Sequence, residues 1–205
     1  MIGRPTVENG KVPRKGELTR ERILDRAADM ASLEGLDDIT IGRLAADLGM
    51  SKSGLYAHFG SKEELQLATI TAARERYDRT TVSPGLDAPK GLAQIEKTME
   101  LLLSYLDNRI FPGGCFFNSV NAEFHARPGL IRDNIREGKA RWRARIAKMV
   151  RDAQRNGEIR KDVDPNFFTF ELDAFINAAN WTLDDPQALA PTRRAIRACI
   201  DRAKV

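Results

Sequence analysis

Residues 40–65, TIGRLAADLGMSKSGLYAHFGSKEEL, decide the fold of this 205-residue chain. Ile41, Leu44, Ala45 and Leu48 recur at helical spacing, and Thr40 stands ready as the N-cap of the helix they form. Gly49 stops that helix, because glycine enters the left-handed conformation without a side-chain clash. A second short helix starts near Ser51 and docks through Leu55, Tyr56 and Phe59, while Ser51, Lys52, Ser53 and Gly54 keep its first turn small and polar. An unobstructed helix start of this kind fits the roughly 12 Å wide major groove of B-DNA. Gly60 ends it, and Ser61-Lys62-Glu63-Glu64 matches a capping box, in which serine and glutamate satisfy each other's free backbone N–H groups and open a further helix.

Upstream, Ile23, Leu24, Ala27, Ala28, Ala31 and Leu33 predict an amphipathic helix from Thr19 to Glu34, stopped by Gly35. Together the four segments, with LYAHFGSKEEL following LGMSKSG, resemble the N-terminal domain of the TetR family of transcriptional regulators over residues 18 to about 80. The resemblance implies an all-α chain: an N-terminal three-helix helix-turn-helix domain with a connecting fourth helix, then a larger helical ligand-binding and dimerisation domain. It implies DNA contacts from Thr19, Arg20 and Thr40 to phosphates, from Lys52 and Ser53 to bases with Ser51 and Gly54 allowing close approach, and from Tyr56, His58 and Lys62 to the backbone. Gly42 departs from family members that carry a basic base-reading side chain there, so readout leans on Lys52 and its neighbours.

Charge adds little to this reading. The net charge is +4, but over residues 1–60 acids match bases in number. Arg4, Lys11, Arg14 and Lys15 lie in an aperiodic leader, residues 1–17, read either as a flexible arm that reaches DNA or as a solvated tail. With 42% hydrophobic and 30% charged residues, the composition is that of an ordinary globular protein. The first residues hold no apolar leader and no later run approaches a membrane span, so the expected location is cytoplasmic with no membrane partner. No P-loop, nucleotide glycine motif, nucleophile elbow or metal-ligand cluster is present, which argues against an enzyme, and no cofactor is expected.

Beyond the fourth helix, predicted over 62–77, Ser83-Pro84-Gly85 and Pro89 set an expected domain boundary at 80/81. Residues 81–205 read as helices near 90–108, 114–126, 128–156, 164–184 and 187–203. The segment PNFFTFELDAFINAANWTL is apolar nearly all round and needs cover on two sides. In the family the last two major helices pair across a two-fold axis, implying a homodimer on a (pseudo)palindromic double-stranded operator. The family also holds a small ligand between helices, and the candidates for its pocket are Phe116, Phe117, Asn121, Phe124, Trp142, Phe175, Asn177 and Trp181, with Asn118 and Asn180 as further anchors. The effector is unidentified, and repressor release by it is the family default. Control by a protein partner, or by modification of Cys115, stands as the alternative: Cys115 is read at a helix N-terminus, where the dipole favours thiolate, or else as a buried structural thiol.

Overall fold

The computed structural model describes residues 15–185, 187 and 189–205, so the expected arm lies outside it up to residue 14. Ten α-helices carry the chain: α1 Lys15–Glu34, α2 Ile41–Asp47, α3 Lys52–Tyr56, α4 Lys62–Tyr77, α5 Ser83–Leu86, α6 Leu92–Asp107, α7 Phe116–Phe124, α8 Leu130–Arg155, α9 Pro165–Trp181 and α10 Leu189–Ala203. Among the described residues the sole β feature is an isolated antiparallel bridge between Ile159 and Lys204. It ties the end of α10 to the α8–α9 loop, with Arg160 N–H donating to the Ala203 carbonyl at 3.0 Å.

The first four helices form a head around Ile23, Leu24, Ala27, Ala31, Leu44, Leu55, Phe59 and Leu65, all buried. Burying an aliphatic or aromatic side chain stabilises by about 1.5–3 kcal/mol, and helices as short as α2 and α3 depend on that docking rather than on propensity. Leu33, expected on the inner face of α1, is 59% exposed, and Met30 is buried instead. α1 also begins at Lys15 rather than Thr19.

The starts of α2, α3 and α4 are each capped by a side chain. Thr40 Oγ1 accepts from Arg43 N, Ser51 Oγ from Gly54 N at 3.1 Å and Ser61 Oγ from Glu64 N at 3.1 Å. The Glu64 carboxylate returns to the N–H of Gly60 at 2.9 Å, one residue before the position a capping box uses. α2 ends in a Schellman motif: Gly49, at φ +62°, donates to Ala46 O, and Met50 N donates to Ala45 O at 2.9 Å.

Within the segment expected to break, residues 80–90, the chain stays helical through Leu86 and leaves helix over 87–91. α4 runs into a π-helical turn, Asp78–Val82, and on into α5; Pro84 sits in the first turn of α5, where a missing N–H is tolerated. Gly85 is buried, and a Cβ there would lie 2.6 Å from Thr98 Oγ1 of α6, so close packing accounts for this glycine better than helix breaking does. The chain leaves helical geometry only between α5 and α6.

A second core joins α6, α8, α9 and α10 through Ile95, Met99, Leu103, Ile146, Val150, Phe168, Leu172 and Ile196. α9 buries Phe168, Thr169 and Leu172 on that side, sends Ala179 into the core shared with the head, and leaves Phe167, Phe170 and Trp181 at about 60–70% exposure.

Gly49→Ala forces a Cβ into left-handed geometry, and equilibrium unfolding should register a loss of about 1–2 kcal/mol with no change in helix content at rest. An unchanged midpoint would remove the glycine from the account of the α2–α3 turn.

Candidate DNA-reading head and inter-helix cavity

The outward side of the head is assembled from two of the capping residues and the exposed side of α3. Thr40, Ser51, Lys52, Ser53 and Tyr56 are exposed, Tyr56 at 57%, while Leu55 and Phe59 on the opposite side of the same segment are buried. The tyrosine ring therefore does not pack under the helix. Lys52 makes no ion pair among the described residues, and its stem crosses α2 at Gly42, where an added Cβ would stand 3.3 Å from Lys52 Cε. The absence of a side chain at Gly42 is what leaves that path open. Arg20 lies with its guanidinium 5.0 Å from the Phe59 ring centroid, and Thr19 and His58 are half-buried. Lys62 is committed to Asp37 at 2.6 Å, and Arg43 pairs with Glu34. Among the sequence-derived candidates Lys52 is thus the cation with most freedom to meet DNA.

The head does not hang on a linker alone. The turn from Phe111 to Gly114 lodges against the end of α1: Phe111 is fully buried, Gly113 N donates to Ser32 Oγ at 3.0 Å, and a Cβ on Gly113 would overlap the Ser32 carbonyl. Arg76 of α4 covers the Phe111 ring at 4.6 Å and pairs with Asp29 of α1 at 2.7 Å. A second attachment comes from α7, whose Glu123 carboxylate accepts from Leu36 N at 2.7 Å and Asp37 N at 2.9 Å. Asp37 in turn holds Lys62 and Arg127, and the hydrogen bond from Lys62, then that from Arg127, keeps its carboxyl below the usual carboxylate range. A lowered carboxyl pKa contributes stability that is complete above the unfolded value of about 4 and is lost as pH falls through the folded value. Glu123 gave no sequence signal, since its partners are backbone groups 86 and 87 residues away.

Behind these attachments lies a cavity of about 160 Å³ between α4, α6, α7, α8 and α9. On its wall Tyr77 stands edge-on to Tyr105 at 5.3 Å, Phe117 at 5.7 Å and Trp142 at 6.1 Å. Of the pocket candidates, Phe117, Trp142 and Asn177 line this space, as does Asn118. The others lie elsewhere. Phe116 and Phe124 are buried in the core shared with the head, Trp181 is 69% exposed, and Asn121 and Phe175 are half-buried away from the wall. Asn180 is engaged in accepting from Cys115 N at 2.6 Å. Helical spacing marks which residues share a face but not which neighbour that face meets, which is why the aromatic set was drawn too widely.

Sequence reading missed Arg74, Tyr77 and Tyr105 on the wall, while Lys139 and Arg145 come from the basic face of α8, which the sequence leaves between a solvated exterior and a face for an anionic partner. Trp142 is held by its Nε1–H donating to Asp173 at 3.0 Å. The Tyr105 hydroxyl is buried beside the Cys115 thiol yet forms no hydrogen bond of normal geometry. Cys115 is the N-cap residue of α7, as expected, but its thiol faces the cavity and burial pushes it up, away from thiolate. The dipole is worth only about 0.3–1 kcal/mol here, against desolvation shifts that reach several pKa units for buried groups.

The model for the tetracyclin repressor-like C-terminal domain matches residues 91–199, and that for bacterial regulatory proteins of the tetR family matches residues 23–69. The chain is 26% identical over 156 residues to the HTH-type transcriptional regulator SrpR of Pseudomonas putida, covering 75% of this chain and 70% of that one. It is 31% identical over 136 residues to the nucleoid occlusion factor SlmA of Vibrio campbellii, covering 60% and 69%. Its fold superposes on a TetR transcriptional regulator from Chloroflexus aurantiacus with TM-score 0.83 at 26% identity, over 92% and 96% of the two chains. AibR in complex with isovaleryl coenzyme A and operator DNA shares the fold at TM-score 0.67 and 20% identity, over 90% and 98%.

Replacing Glu123 by Gln weakens two charge-assisted bonds, and an unfolding cost of about 1–3 kcal/mol is expected together with faster amide exchange at Leu36 and Asp37. Wild-type exchange at both amides would show that the carboxylate does not hold the turn.

Proposed function

This chain belongs to the tetR family of bacterial regulatory proteins, DNA-binding transcriptional regulators, and we propose that it is a homodimeric, cytoplasmic repressor released from its operator by a small molecule in the inter-helix cavity. The observation that carries the reading is that cavity and head share parts. Arg74, Tyr77 and Asp78 on the wall belong to α4 and the turn that follows it, and α7 supplies Phe117 and Asn118 to the wall and Glu123 to the α1–α2 turn. A ligand that fits better when α4 and α7 are displaced shifts the head by its differential affinity for that arrangement. AibR, a protein of the same fold, has been seen with a ligand and operator DNA together. Cysteine modification is the weaker reading, because the Cys115 thiol is held away from thiolate.

In this reading residues 18–80 serve as the DNA-binding unit and 81–205 as the regulatory unit, although the two are fastened together at Ser32, Leu36 and Asp37. Lys52 and Ser53 read bases, Ser51 and Gly54 admit the groove wall, and Thr19, Arg20, Thr40, Tyr56, His58 and Lys62 meet the backbone. Two such heads reach half-sites one or more turns apart on a (pseudo)palindrome. Pairing through α9 and α10 is supported by the bare stripe Phe167, Phe170, Ala174, Ala178 and Trp181, which recurs at helical spacing on one side of α9.

Lys52→Ala should weaken binding to an operator selected from random DNA by about 1–3 kcal/mol and relax base preference, whereas Tyr56→Phe should weaken specific and non-specific DNA alike. Anisotropy titrations in which both variants match wild type would dismiss this surface. For the dimer, Phe170→Glu is expected to give monomers by sedimentation velocity with the fold kept; a variant that stays dimeric places the interface elsewhere.

A further inference from the structure

The cavity wall carries cations that the protein itself leaves unmatched. Arg74, Lys139, Arg141 and Arg145 face Asp78 and Asp173. Asp173 is already occupied by Trp142 Nε1 at 3.0 Å and Arg143 Nε at 2.8 Å, and Arg141 is paired with Glu137 at 3.3 Å. Lys139 and Arg145 are half-buried and make no ion pair among the described residues. Arg74 hydrogen-bonds a neutral group, Asn134 Oδ1, at 2.7 Å, and burial, then repulsion from Arg141, lowers its guanidinium pKa. Three half-buried cations against Asp78 is an arrangement whose repulsion an anion relieves.

The remainder of the wall is apolar. The cluster of Tyr77, Phe117 and Trp142 offers ring edges and faces, and the buried Tyr105 hydroxyl is a polar group without a protein partner. At about 160 Å³ the space is close to the roughly 150 Å³ that accommodates benzene in an engineered apolar cavity.

We infer that the cavity binds a small organic acid, its carboxylate met by Lys139, Arg145 and Arg74 and its body, one ring or a chain of about six carbons, seated among Tyr77, Phe117 and Trp142. This deepens, and rests on, the proposal that the cavity is the effector site. A neutral apolar effector would leave the cations unmatched.

The test uses the full chain and two pairs of near-isosteric probes, benzoate with benzamide and hexanoate with hexanamide, titrated by calorimetry. At least one acid should bind ten times or more tighter than its amide, the gap should narrow as salt rises, and Lys139→Met with Arg145→Met should erase it while amide binding and the melting curve persist. Amides that match their acids, an acid preference that survives both substitutions, or failure of both acids to bind would overturn the inference. Operator release on the same samples keeps the two proposals apart. An acid that binds with charge preference yet leaves DNA bound supports the ligand class and sinks ligand release; a neutral probe that binds equally well and frees DNA does the reverse.

Discussion

The close approach of Gly113 to the Ser32 carbonyl is the contact on which the arrangement of this protein depends. It lets the Phe111–Gly114 turn reach the end of α1, where Phe111 is buried under Arg76, itself anchored to Asp29. As a result one apolar core runs from Ile23 and Leu44 in the head through Phe111 and Phe116 to Ile131 and Ile135 at the start of α8. Close-packed interiors transmit displacement rather than absorb it, so the orientation of α3 is tied to the seating of α7. The Glu123 carboxylate on the Leu36 and Asp37 amides fastens the same seam at a second point.

The cavity sits beside this seam and is built differently from the cores around it. Its neighbours, Ile95 and Val150 on one side and Phe116 on the other, are fully buried apolar side chains, while its own wall mixes aromatic rings with cations and an unpartnered phenol. Unpaired buried polar groups are costly, and a fold that retains them has given up stability that plain packing would supply. Such concessions concentrate at functional sites. The Cys115 thiol belongs to the same wall, but its environment is that of a desolvated neutral group.

Much of this was legible in the sequence because periodicity reports which residues face inward. α4 spans the range its capping serine and apolar spacing predicted, α9 has one covered and one bare side as its all-round apolar composition required, and Gly49 turns the chain where a glycine had to. Illegible were the features set by distant neighbours. Pro84 and Gly85 read as a break because local rules describe a lone helix, yet the π turn before them and the proximity of Thr98 keep the chain helical. For Cys115 the sequence left a dipole-activated thiol and a buried structural one both open, because exposure is a tertiary property, and burial decides for the second. Among the aromatic candidates Phe117 and Trp142 line the cavity, whereas Phe124 points into the shared core and Trp181 toward solvent, a difference that tertiary neighbours set. At the head the residues expected outside are outside, apart from the half-buried Thr19, Gly54 and His58, while the ion pair that occupies Lys62 joins positions 25 apart and has no local signature.

The turn at Phe111–Gly114 also bears on modularity. A chimera cut at the α5–α6 connection, where helical geometry first lapses after α4, would separate Ser32 from Gly113 and Leu36 from Glu123. The exchangeable unit is therefore not a contiguous stretch of chain. A transplanted reading head keeps its bearing only if its new host brings a loop and a carboxylate shaped for that α1, because head and regulatory body are energetically coupled across the seam even though they are separate in sequence.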